Sequence, residues 1–355
     1  MPGALTAGLD KINAVAAEGG LDAAASEELA LDLDAGEPVM VPDMIDADGQ
    51  IRCKAIYPPK LHGSPVHEVA GQLLDMQSPE RSRFLKLTGP PGTGKSRIGR
   101  LLAYHLWTSR GRAVEVRHGR PFYGFVEMQP GPSSDEFFFR YDYVPAESGG
   151  DVRLVDSLFV QAMRHGWIVM LDEVNTARDV ALLSINSTLD GRVALHLPAT
   201  GETVIAQPGF AVLLSYNAGL LGATDLPDAW HSRFPATIEV TSNWAALVKL
   251  GAPEQLIRAA MALDGRRFAG DDGLGWTPQF RDIEGLADMI DRCGERTAIA
   301  LFVSNLAERV TAGQIQPAEL AATMRMLDEA GYAHLKVRAT SRIANVDGYP
   351  RATTR

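Results

Sequence analysis

Cysteine is scarce in this chain. Its two copies, Cys53 and Cys293, stand far apart and match no metal-binding spacing, so a reduced, cytoplasmic setting is the expectation. Long apolar runs are missing as well. Trp167 to Leu171 and Phe210 to Leu214 are strand-sized and fall well short of a membrane span. The start, Met1-Pro-Gly-Ala-Leu-Thr, lacks the basic residues and apolar stretch of a signal peptide. Positive charge is not in surplus either. A net charge of −10 argues against a broad basic footprint for nucleic acid, leaving room only for a local patch. No internal repeat is visible. What the chain does have is 355 residues, 46% of them hydrophobic, enough for a large core and two packed units.

Its most informative stretch is Gly89-Pro90-Pro91-Gly92-Thr93-Gly94-Lys95-Ser96, which fits the phosphate-loop pattern G-x-x-x-x-G-K-[ST] at every fixed position. The apolar run Phe84–Leu87 precedes it as a strand. Ser96 to Trp107 follows as a helix, with Ile98, Leu101, Leu102 and Leu106 at helical spacing. Glycines let successive N–H groups turn inward on phosphate oxygens, and the helix start adds its positive end. Lys95 would reach the β- and γ-phosphates, and Ser96 would ligate Mg²⁺. The chain is expected to bind a nucleoside triphosphate.

The remaining organisation sorts by composition. Residues 1–59 read as an acidic, partly disordered N-terminal arm. From Asp22 to Asp48 they carry Glu27, Glu28, Asp32, Asp34, Glu37, Asp43, Asp46 and Asp48 without one basic residue, a pattern of solvated or docking segments. Ser64-Pro65 reads as the N-cap and first turn of a helix. Over 60–242, strands and helices alternate. The candidate strands are Phe84–Leu87, Ala113–Val116, Trp167–Leu171, Phe210–Leu214 and Thr237–Thr241. Several are apolar at nearly every position, as strands covered on both faces should be, so a three-layer α/β unit with a parallel five-stranded sheet is predicted. Residues 243–337 read as a small all-α lid, with helices at Pro253–Leu263, Pro278–Asp291, Arg296–Val310 and Pro317–Ala330. Residues 338–355 read as a loose tail.

A second element carries chemistry. Trp167-Ile-Val-Met-Leu171 ends in Asp172-Glu173, an acid pair at the carboxyl end of a buried strand, where parallel sheets bind ligands. Asp172 could hold the Mg²⁺ shell and Glu173 could polarise an attacking water. Paired with the upstream phosphate loop, these carboxylates predict hydrolysis of the triphosphate.

With both motifs in view, the chain resembles the AAA+ ATPases over roughly residues 60 to 335, specifically the MoxR-like branch that includes the CbbQ/NorQ and gas-vesicle GvpN groups. The resemblance rests on Gly89–Ser96, Asp172-Glu173-Val174-Asn175 and the helix Val180–Leu189. It continues through the hairpin-like stretch Val193–Ala206, Leu213-Leu-Ser-Tyr-Asn217 and His231-Ser-Arg-Phe234. It implies that Asn217 is a sensor touching the lytic water or the γ-phosphate. Arg233 would be an arginine finger entering a neighbour's site, although the family's acid before it is here Ser232. Arg281, in Trp276-Thr-Pro-Gln-Phe-Arg281, would be a second sensor reaching the phosphates from the lid; the family commonly places that arginine nearer the proline. Two stretches are read as family insertions: the one between Val116 and Val152, with Phe122-Tyr-Gly-Phe125, Phe137–Tyr143 and a hairpin from Arg140 onward, and the hairpin-like Val193–Ala206. The aromatics of the first would face a ring's central opening or pack a local minicore.

The resemblance further implies ATP and Mg²⁺ as ligands, a ring oligomer, usually a hexamer, and ATP-driven remodelling, activation or assembly of a partner protein complex. A von Willebrand factor A domain protein is a frequent partner. Two other classes compete: a nucleic-acid motor or loader, against which the acidic composition weighs, and a nucleotide-dependent switch, against which the complete Asp172-Glu173 pair weighs.

Overall fold

The computed structural model describes residues 36–61, 63–74, 83–131, 133–144, 150–174, 177–189, 193–217, 226–231, 233–234, 236–270 and 273–333. Most of the acidic arm, the tail, Asn175 and Ser232 lie outside the described residues.

The described chain opens with an antiparallel hairpin of β1 (Val39–Ile45) and β2 (Ile51–Ile56). These residues belong to the stretch read from sequence as a solvated arm. Two of their acids, Asp46 and Asp48, sit at the turn, where Asp46 accepts from the Asp48 and Gln50 amides, while Asp43 lies in β1 and Val41 is buried in the core. β3 (Lys60–Leu61) and β4 (Ser64–Pro65) pair next, and α1 (Val66–Leu73) follows. The expected cap at Ser64 is absent, because Ser64 and Pro65 are strand residues and the helix starts at Val66 with no side-chain cap.

β5 (Phe84–Thr88) then leads through the phosphate loop into α2 (Lys95–Ser109). A small hairpin of β6 (Glu115–Arg117) and β7 (Arg120–Phe122) precedes β8 (Phe125–Met128). A larger one, β9 (Phe139–Val144) with β10 (Asp151–Asp156), leads to α3 (Leu158–His165) and β11 (Ile168–Leu171). The short α4 (Asp179–Leu183), the hairpin β12 (Ala194–His196) and β13 (Thr203–Ile205), and β14 (Ala211–Tyr216) come next. The short α5 (Asp228–His231) and β15 (Ala236–Glu239) complete the α/β part.

Five of these strands form one parallel sheet in the order β15-β5-β14-β11-β8. Every residue of β11, and β14 through Ser215, is buried, which explains their unbroken apolar runs: helices cover the sheet and leave no wet face. The sheet agrees with the expected architecture but not with every expected strand. Ala113–Val116 is not a sheet strand. Residues 115–117 turn back on 120–122 in a hairpin, and the sheet takes Phe125–Met128 instead.

Beyond β15 the chain is helical: α6 (Trp244–Lys249), α7 (Glu254–Ala269), α8 (Phe280–Cys293), α9 (Glu295–Thr311) and α10 (Pro317–Leu327). They bury a second core of their own around Leu256, Ile257, Leu286, Phe302 and Leu306. No helix among the described residues is long and apolar enough to cross a membrane.

Candidate functional site

The chain leaves β5 for α2, whereas its sheet neighbours β14 and β15 come much later, so a crevice opens beyond the carboxyl end of β5. The loop Gly89–Ser96 lies there. Its conformation needs glycine at defined points. A β-carbon on Gly89 (φ +143°) would stand 2.2 Å from the Val240 carbonyl oxygen. On Gly92 (φ +88°) it would stand 3.4 Å from Gln279 Cβ and 3.5 Å from Arg281 Cβ. Thr93 Oγ1 donates to the Pro90 carbonyl at 3.0 Å and braces the turn.

Lys95 begins α2 and is buried. Its ammonium donates to the carbonyls of Gly89 and Pro90, both at 2.8 Å. Burial lowers its pKa to about 8, with Arg281 adding to the fall and Asp172 and Glu173 opposing it. The next residue, Ser96, points its hydroxyl at Asp172 Oδ2, 3.4 Å away. A hydroxyl and a carboxylate side by side are the hard oxygen donors that Mg²⁺ prefers, so these two residues fit that ion.

Asp172 and Glu173 follow β11 directly. Asp172 Oδ1 accepts from the Glu173 amide at 3.0 Å, and Glu173 takes a left-handed backbone angle, φ +49°. Its carboxylate accepts from Gln129 Nε2 at 2.9 Å. Gln129 stands just past β8, and no sequence motif had singled it out. Asn217 is buried immediately after Tyr216, which pairs with Thr88 at the mouth of the phosphate loop. The structure therefore brings Gly89–Ser96, Asp172, Glu173 and Asn217 to one end of the sheet.

Arg281 joins them from the helical part. Its amide donates to the Gly92 carbonyl at 3.1 Å, and its charge is felt by Lys95. The start of α8 is held there by a buried polar cluster. Gln279 accepts from Ser242 Oγ at 2.9 Å and donates to Asp264 at 2.8 Å, and Ser242 Oγ accepts from the Phe280 amide at 2.9 Å. Gln279 and Asp282 also form a reciprocal capping box at the helix start. Arg97, on α2, pairs with Glu284 of α8 at 2.6 Å. Beside the loop, a small cleft is lined by Tyr57, Thr93, Ile98, Asn243, Leu250 and Phe280. Asn243 is oriented by its bond to the Tyr57 carbonyl, 3.2 Å. Apart from Thr93 and Ile98, these residues carry no sequence signal, because the pocket assembles four separate segments.

Arg233 is different. It follows α5, donates to the Ala229 carbonyl, and its Nε is buried with no hydrogen-bond partner among the described residues.

Residues 85–234 match the AAA domain of the dynein-related subfamily. Among curated proteins, an uncharacterized protein of Staphylococcus aureus strain USA300 is 36% identical over 171 residues, which cover 48% of this chain and 59% of that protein. An uncharacterized protein of Staphylococcus epidermidis is 28% identical over 174 residues, covering 49% and 61%, and one of Staphylococcus saprophyticus is 28% identical over 153 residues, covering 43% and 54%. The aligned stretch thus spans little more than half the length of these relatives. With its phosphate loop, its acid pair and its sheet order, the segment 85–234 is an AAA domain of the P-loop nucleoside-triphosphatase class.

Proposed function

We propose that this chain is a MoxR-like AAA+ ATPase that hydrolyses ATP with Mg²⁺ in a ring of like subunits, and uses the cycle to remodel, activate or assemble a partner protein complex. The observation that carries the ATPase reading is the approach of Ser96 to Asp172, 3.4 Å, beside the buried Lys95 and the Gln129-held Glu173. The hairpins β9–β10 and β12–β13 support the MoxR-like branch, since both occur where the resemblance leads one to expect them.

In this reading the base enters the cleft between Tyr57 and Phe280, and the phosphates enter the loop. Lys95 exchanges its two carbonyl partners for β- and γ-oxygens. Ser96 and Asp172 hold Mg²⁺, which when bound neutralises charge on those oxygens. Glu173 orients a water and accepts its proton as the water oxygen bonds to the γ-phosphorus and the bond to ADP breaks. Asn217 fixes the water's position, and Arg281 reports the loss of the γ-phosphate to the helical part. The resulting change in the angle of the lid moves a bound client, with a protein carrying a von Willebrand factor A domain as partner.

The test is phosphate release and nucleotide binding measured side by side. Glu173→Gln should retain affinity for ATP while turnover falls by about a hundredfold or more. Lys95→Ala should lose most of the binding. Unchanged turnover in Glu173→Gln would sink the hydrolytic assignment.

A further inference from the structure

The phosphate-loop segment grips the helical part at two levels. The first is the start of α8, where the Arg281 amide donates to the Gly92 carbonyl and Ser242 Oγ donates to Gln279. The second lies one turn further along. Arg97, on α2 and two residues past Lys95, lays its guanidinium over the Phe280 ring, 5.2 Å from its centre. The same guanidinium donates to Glu284 Oε2 at 2.6 Å. Phe280 and Glu284 stand four residues apart on α8 and so share the face turned to Arg97. The contacts at Gly92 and Ser242 make a pivot at the helix start, and a contact about 6 Å along the axis fixes the direction of the helix.

The residue types suit a contact that holds. A fully exposed ion pair contributes little, because water and salt screen it. Here the two side chains are only 33% and 20% exposed. The guanidinium is also stacked on a buried ring, which a lysine ammonium would do less well. Among the described residues, neither Arg97 nor Glu284 forms an ion pair with any other side chain. Arg97 and Phe280 are moreover both walls of the cleft that Tyr57, Asn243 and Leu250 complete. A swing of α8 that parts them opens that cleft.

We propose that Arg97 and Glu284 form a latch that sets how fast nucleotide enters and leaves the cleft. Arg97 is a positioning residue, acting through α8 and not on the reacting phosphate. When the pair parts, the helical part turns about the Gln279 end and the cleft opens. When it re-forms, Phe280 closes over the base. The inference rests on the nucleotide reading and adds to it the step at which exchange is controlled.

A latch has a kinetic signature that a nucleotide contact lacks. Losing a contact to the nucleotide speeds release and leaves entry as it was, so affinity falls by the same factor. Losing a latch speeds entry and release together, and affinity barely moves. Stopped-flow fluorescence of the full chain with Mg²⁺ and ADP carrying a fluorophore on its ribose measures both rates. Glu284→Gln and Arg97→Gln should each raise entry and release by about tenfold, with affinity changed by less than about threefold. Because the two residues act as one pair, the double variant should be no faster than either single one. Faster release with unchanged entry would make Arg97 a nucleotide contact, and effects that multiply in the double variant would mean two independent roles; either overturns the proposal. Binding by the unaltered chain with unchanged rates in the variants, even at a lowered melting temperature, sinks the latch alone. No binding by the unaltered chain fells the nucleotide reading and the latch with it.

Discussion

A lysine ammonium enclosed by carbonyl oxygens and cut off from water holds its proton less firmly than one in solvent. For Lys95 burial outweighs the nearby carboxylates and sets a pKa of about 8, against 10.5 for an unperturbed lysine. Two opposite pH trends follow. Between those values the unfolded chain binds a proton that the folded chain has lost, so the free protein gains stability as pH rises through that window. Nucleotide binding runs the other way, because phosphates favour the charged lysine. Above about 8, ATP affinity should fall by up to tenfold per pH unit. Calorimetry in buffers of different ionisation heat at pH 8 should find proton uptake of about half an equivalent on binding. A flat affinity from pH 7 to 9.5 would mean that Lys95 stays fully charged without nucleotide.

At the scale of elements, the start of α8 ties the phosphate loop to the helical part, and Gln279 is the residue on which that joint turns. It is buried, with both ends of its amide used: Ser242 donates to its oxygen, and its nitrogen donates to Asp264 and Thr277. Gln279→Leu keeps the size but strands these partners, which should cost about 2 kcal/mol. If the joint matters to the site, ATP affinity should fall as well, because Arg281 two residues on loses its placement against Gly92. A lowered melting temperature with unchanged affinity would leave Gln279 a structural residue only. Little of this joint was legible in the sequence, which shows neither the partners of a buried glutamine nor a pocket built from Tyr57, Asn243 and Phe280. The phosphate loop and the acid pair were legible because each is contiguous and its spacing is dictated by the ligand. The inner strands β11 and β14 were legible for a different reason, since burial on both faces demands an unbroken apolar run. The edge strand β8, Phe-Val-Glu-Met, is buried on fewer sides and carries a charge, so it gives a weaker pattern than the alternation at Ala113–Val116. That alternation belongs instead to a hairpin. Asp43, Asp46 and Asp48 looked like a solvated arm because the sequence does not reveal that a hairpin turn organises Asp46 and Asp48 and that a strand sets Asp43 beside Arg100.

At the scale of the whole molecule, the question is whether one chain can complete its own site. Arg233 lies between α5 and β15, on the opposite side of β5 from the acid pair in sheet order. Its segment is fixed by Phe234, which packs against Trp230 and Phe84. Its guanidinium is held by the Ala229 carbonyl. In the proposed ring, this arginine would act on a neighbour's nucleotide and not on its own loop. Head-to-tail contacts of that kind would close into a ring where the rotation between subunits allows it. Arg233→Ala should therefore bind ATP normally and hydrolyse it poorly, and activity per chain of the unaltered protein should rise with concentration as rings assemble. The decisive comparison mixes Arg233→Ala with Glu173→Gln, each nearly inactive alone. In a ring of equal, random composition, sites with an intact Glu173 facing an intact Arg233 return at about a quarter of all positions, so about a quarter of the normal rate should reappear. Subunit exchange is checked in the same mixture by labelling one variant and following energy transfer to the other. If the two variants co-assemble and no activity returns, Arg233 acts within its own chain or not at all, and the shared-site ring falls with it.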